Sequence, residues 1–138
     1  RGKTHVRLAD YTSGRRWDDA VCYAFYPIDL HVASGQGTDV RLLPEGTVPT
    51  VPRGALLPAG SRNCLVAGRC LSSDRLANSA LRVQATSMAT GQAAGALAAL
   101  AARAGIDPEV VPLNDLYALL RQHAAIVPEH DNAKAQHP

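Results

Sequence analysis

Asp29 and His31 stand two residues apart in the stretch Tyr26-Pro27-Ile28-Asp29-Leu30-His31. On a strand, that spacing puts both side chains on one face. A carboxylate there can orient an imidazole for proton transfer, or the two can form a hydrogen bond that anchors the strand. No nucleophile or metal partner accompanies them, which favours the structural role. They are the two candidate catalytic residues. A hydrolase built on Ser72 or Ser73 with His31 lacks a nucleophile-elbow pattern.

A second set of residues suits binding. Arg69, Arg75 and Arg82 follow the short apolar run Asn63-Cys64-Leu65-Val66-Ala67-Gly68 and precede a long helical pattern. In an open α/β sheet, ligands bind beyond the carboxyl ends of the strands. Amides at the start of the next helix carry partial positive charge and suit a phosphate or a ring carbonyl. Arginines add full charge at that point. Ser72, Ser73 and Asp74 can bond a cofactor, although capping or turn formation is commoner for such clusters.

The elements that position these residues are legible in part. Residues 1–19 are polar and read as a connection or edge element with an upstream partner. Residues 20–32 read as a strand marked by Pro27, which cannot donate to a ladder. Residues 33–39 form a turn. Four prolines and three glycines in residues 40–60 predict an extended loop or short edge strands, not a helix. Residues 63–68 have the pattern of a buried parallel strand. A helix is expected from Leu81 to Ala104, closed by Gly105. Gly91, Gly95, Ala98 and Ala102 clear one face of it for a close approach. A second helix is expected over residues 114–123, capped by Asn114, with Leu116, Leu119, Leu120 and His123 on one face. Residues 128–138 read as a disordered tail with His130 and His137 solvated.

Composition narrows the partners. Fourteen basic and twelve acidic residues leave a formal charge of +2, too balanced to argue for nucleic acid or an anionic membrane. Gln84, Gln92 and Arg103 interrupt the long helix and argue against a membrane span. Cys22, Cys64 and Cys70 fit no metal spacing, no metal site is expected, and all three read as buried thiols. Trp17 reads as a packing anchor. No secretory signal stands at the start, so the cytoplasm is favoured. Gly35 and Gly37 open no helix and are not a dinucleotide turn.

Leu65-Val66-Ala67-Gly68-Arg69-Cys70-Leu71-Ser72, then Leu81-Arg82-Val83-Gln84, Met88-Ala89 and Gly91-Gln92-Ala93-Ala94-Gly95 carry a resemblance. With Tyr26–His31 upstream and Val51-Pro52 and Leu56-Leu57-Pro58 between, they resemble the carboxy-terminal part of the FAD-dependent oxidoreductases of glutathione-reductase-like type. The resemblance covers roughly residues 18–123. It implies an α/β fold: the end of a substrate domain over residues 1–60, then the last parallel strand and long helix of a Rossmann-like FAD-binding domain over residues 61–127. It implies FAD as cofactor, held by Ala67, Gly68, Arg69, Ser72, Arg82, Met88, Gly91, Gln92 and Gly95. Met88 is expected in the core or against the flavin. The implied activity is hydride transfer between a small-molecule substrate and the flavin. The alternative is a non-catalytic module that completes a partner chain's fold.

Two positions depart from the family pattern. Arg53-Gly54 stand where Tyr-Arg is usual, and Asp74-Arg75 stand where a threonine and a histidine are usual. The GxGxxG turn is absent from these residues, so it is expected on an amino-terminal segment or a partner chain. The chain opens on Arg1, and its one methionine is Met88, which fits a piece of a longer protein.

Overall fold

The computed structural model describes residues 1–31 and 37–129. Most of the expected turn at residues 33–39, with Gly35, and the tail from His130 onward lie outside the described residues. Pro128, expected in that tail, is buried, and the Glu129 amide donates to the Tyr23 hydroxyl at 3.0 Å.

Residues 20–31 make two strands rather than one. β1 (Ala20–Tyr23) and β2 (Ile28–His31) are separated at Pro27, which lacks an amide for the ladder. β2 pairs antiparallel with β3 (Thr38–Arg41), with Asp29 opposite Val40. β1 pairs antiparallel with β4 (Thr50–Pro52), with Cys22 opposite Val51. A 3-10 turn, Arg53–Leu56, follows β4 directly.

The amino-terminal segment pairs with later residues. Gly2 bridges Pro58 antiparallel, and Val6 bridges Ser73 in parallel. The Lys3 amide donates to Leu57 O at 2.8 Å and the Thr4 amide to Gly54 O at 3.0 Å. Polar side chains on residues 1–5 gave no sign of this, because the pairing is made by backbone groups. The short helix α1 (Leu8–Thr12) follows and buries Tyr11. The Tyr11 hydroxyl donates to Tyr26 O at 2.8 Å and accepts from the Tyr26 amide at 3.1 Å. That one phenol satisfies both backbone groups of Tyr26, just before the Pro27 break.

Residues 63–68 do not form a ladder strand. Residues 64–67 are extended and exposed to half-buried, and among the described residues their one ladder-like bond runs from the Val66 amide to Leu56 O at 2.9 Å. A parallel strand needs neighbours on both sides, and here one side is open.

The helix expected from Leu81 to Ala104 is present from Gln84, and a separate short helix precedes it. α2 (Arg75–Leu81) ends at Arg82, and α3 (Gln84–Ala104) starts after the extended residue Val83. Asp74 starts α2: its side chain accepts from the Ala77 amide at 2.8 Å. Its other oxygen accepts from the Leu8 amide at 2.7 Å, so one carboxylate serves the starts of α1 and α2. α3 ends at Gly105 with φ +66°, a left-handed conformation that glycine adopts without strain. α4 spans Leu113–Gln122 after the N-cap Pro112, with Asn114 inside the helix. It buries Leu116, Tyr117 and Leu120; Leu119 is half-buried and His123 is exposed.

One core joins the first and second halves of the chain. Val6, Ile28, Val51, Leu56, Leu81, Leu97, Leu116 and Leu120 belong to a single buried cluster. Each such side chain stabilises the fold by about 1.5–3 kcal/mol relative to exposure. α3 supplies Ala93, Leu97 and Ala101 from one face. Cys22 is in the core, but Cys64 and Cys70 are exposed, contrary to the expectation for all three. Trp17 is half-buried, with the Arg15 guanidinium stacked 3.7 Å from its ring centre. No helix among the described residues is long and apolar enough to cross a membrane.

Candidate functional site

Asn63 and Leu65 line a groove with Ala98, Ala101 and Ala102 near the end of α3. Gly68 meets α3 near its start: its amide donates to Thr90 Oγ1 at 3.0 Å. The extended segment and the helix therefore run antiparallel, as the strand and helix of a βα unit do. The carboxyl end of the segment and the amino end of α3 come together at one point.

Gly68 has φ +61° and opens a 3-10 turn, Gly68–Cys70. A residue with a Cβ is strained in that conformation. Thr90 Oγ1 also donates to Thr86 O at 2.8 Å, so the turn is tied to the second turn of α3. Arg69, next in the turn, is exposed. Val83 gives no side-chain cap to α3. The first amides of a helix have no intrahelical partner, so those of Gln84, Ala85 and Thr86 carry uncompensated positive polarity. A flexible cation, uncapped amides and a left-handed glycine together suit an anionic group such as a phosphate.

The predicted binding residues fall into four groups. Ala67, Gly68 and Arg69 share this turn, beside α3. Met88, Gly91, Gln92 and Gly95 lie on the exposed side of α3. Met88 is 72% exposed, so it is not a core methionine. A Cβ added at Gly91 or Gly95 meets nothing within 4 Å, so the close approach expected there is not made by the described residues. Gln92 is committed elsewhere in part: its Nε2 donates to His123 O at 3.1 Å, tying α3 to the end of α4.

Ser72 belongs to a different place. It is 8% exposed, and its Oγ lies 3.0 Å from Nδ1 of His5. Arg82 forms a fourth group, with Asp29. Its Nη2 donates to Asp29 O at 3.3 Å and lies 3.6 Å from Asp29 Oδ2. Arg82 closes α2 rather than opening the long helix, and it holds the β2–β3 hairpin against α2. Asp29 therefore pairs with Arg82, no hydrogen bond joins it to His31, and His31 is exposed. The oriented-histidine arrangement is absent from the described residues.

Both departures from the family pattern have a structural account. Gly54 leaves room for Thr4, whose Oγ1 would sit 2.2 Å from a Cβ there. Arg53 turns its side chain to Val111, with Nη1 donating to the carbonyl at 2.7 Å. Asp74 stands at the start of α2, where its carboxylate caps two helices.

Sequence reasoning missed His5 and Thr90. Thr90 is recognisable in retrospect as a buried hydroxyl one turn after Thr86. His5 had no local signal, because its partner is far away along the chain. Among the described residues, no three His, Cys, Asp or Glu side chains gather as a metal site.

No curated protein and no solved structure matches the chain. The family model described as FAD dependent oxidoreductase matches residues 1–120, most of the chain. On that match this chain belongs to the FAD dependent oxidoreductase family, whose cofactor is FAD and whose function is flavin-dependent redox chemistry.

Proposed function

We propose that this chain is the carboxy-terminal part of a Rossmann-like FAD-binding unit that transfers a hydride between a small-molecule substrate and the flavin. The observation that carries this reading is the left-handed turn at Gly68, tied to α3 through Thr90 and flanked by exposed Arg69. The residues present fit the cofactor. Gly68 offers backbone without a side chain, Arg69 offers a cation for a phosphate, and the start of α3 offers amides. When bound, the flavin supplies the electron-pair chemistry. The chain's part is to hold and orient it. Ala67, Gly68, Arg69 and the exposed side of α3 at Met88, Gly91 and Gly95 are the proposed contacts. Arg82 is proposed to fix the hairpin rather than to touch the cofactor, because Asp29 occupies its guanidinium.

The open edge of residues 64–67 supports a second element of the proposal. Beside that edge, Gly91, Gly95, Ala98 and Ala102 are exposed, so another backbone can approach closely. A strand placed there would give residues 64–67 the neighbour that a parallel ladder needs. The GxGxxG turn belongs on that strand, in the same polypeptide or in a partner chain.

The test is a fluorescence titration of FAD into the purified chain, with Gly68→Val, Arg69→Ala and Arg82→Ala alongside. Saturable binding that weakens about tenfold or more in the first two variants, and stays unchanged in the third, is expected. Equal affinity in all four proteins would remove the residue assignment.

A further inference from the structure

We propose that the cleft between the amino-terminal segment and the turn Cys70–Ser73 is a binding site for a small organic carboxylate, with His5 as its central ligand. The cleft encloses about 380 Å³. Pro58, Val66 and Leu71 give it apolar walls, and Arg1, His5 and Ser73 are among its polar lining. No acidic side chain lines it. Guanidinium, an imidazole N–H and hydroxyl all donate hydrogen bonds, and the guanidinium carries charge, so the lining complements an oxyanion. The apolar walls suit a short carbon chain attached to that oxyanion, which a bare inorganic anion lacks.

His5 is held for this task. Its neighbours on both sides are fixed: the Thr4 amide donates to Gly54 O at 3.0 Å and the Val6 amide to Ser72 O at 3.0 Å. The segment is packed so closely that a Cβ on Gly2 would lie 2.7 Å from Ser72 Cβ. The ring is then oriented by Ser72 Oγ, 3.0 Å from Nδ1. Its Nε2 has no hydrogen-bond partner among the described residues. Ser73 Oγ accepts from Asn78 Nδ2 at 3.1 Å, which leaves its own proton to donate. Groups fixed before a ligand arrives lose little entropy on binding it.

Cys70 closes the turn that Gly68 and Arg69 open and also lines the cleft, so a carboxylate here lies next to the proposed cofactor contacts. The inference names the substrate class for the redox reading and rests on that reading for the reaction, not for the binding.

The experiment is NMR of the full chain with isotope-labelled histidine, titrated with butyrate and, separately, with its neutral isostere butyramide. Ser72→Ala, which perturbs the His5 ring alone, assigns the His5 signals. Saturable movement of His5 with butyrate and none with butyramide is expected. His5 signals that ignore butyrate, or follow butyramide equally, overturn the site. Inorganic phosphate binding as tightly as butyrate overturns its assignment to an organic acid. FAD titrated into the same samples separates the two proposals. Flavin binding with silent His5 signals overturns this site alone. A butyrate response without flavin binding upholds the site and counts against the cofactor reading.

Discussion

The Gly68 amide donates to Thr90 Oγ1 at 3.0 Å, which locks the turn after the extended segment onto the second turn of α3. Thr90 is fully buried. Thr90→Val keeps the shape and removes the acceptor, leaving a part-buried donor unpaired. A loss of about 1–3 kcal/mol is expected, read as a lower denaturant midpoint with an unchanged slope. Thr90→Ser should recover most of it. An unaltered midpoint in the valine variant would mean that the turn holds its shape without this bond.

The Asp74 carboxylate caps two helices at once, through Ala77 and Leu8. Each cap is worth about 1 kcal/mol, so Asp74→Ala should cost roughly twice the usual amount for one cap. Asp74→Asn, which keeps one acceptor oxygen, should cost about half as much. Equal losses in the two variants would show that only one of the caps contributes.

Alkaline stability follows from the buried phenols and thiol. Burial pushes the Tyr11 hydroxyl from 10.0 up to about 12. It also pushes the Cys22 thiol from 9.0 up to about 12. The fold favours the neutral form of both groups, whereas the unfolded chain ionises them earlier. Their contribution is therefore fully present below the unfolded values and is lost as pH rises through about 12. Unfolding free energy measured across this window should fall, and should fall less steeply in Tyr11→Phe. At neutral pH the same variant should lose about 1–2 kcal/mol, because both backbone groups of Tyr26 lose their partner. A parallel pH dependence in the two proteins would exclude Tyr11 as a source.

Thiol labelling separates the cysteines. Cys64 and Cys70 are exposed and Cys22 is buried. Alkylation of the native chain, followed by intact-mass measurement, should stop at two adducts and reach three only after denaturation. Uniform labelling of all three at one rate would contradict the placement of Cys22 in the core.

Much of the fold was legible wherever the physics is local. Pro27 divides β1 from β2 because it has no amide to give. Gly105 closes α3 because a left-handed residue ends the helix. Asp74 starts α2 because its short carboxylate reaches the first amides. The sequence also carried the family, through residues 65–72 and 81–95, and with it the cofactor.

Tertiary structure decided what depends on distant partners. Only the folded chain puts His5 against Ser72, Thr4 against Gly54, and Arg82 against Asp29. None of these pairs has a sequence period or spacing to announce it, since contact between them costs loop closure and is settled by the whole core. The same holds for residues 63–68. Their apolar run prescribes an extended backbone, but a strand exists only where neighbours accept its hydrogen bonds, and among the described residues one side has none.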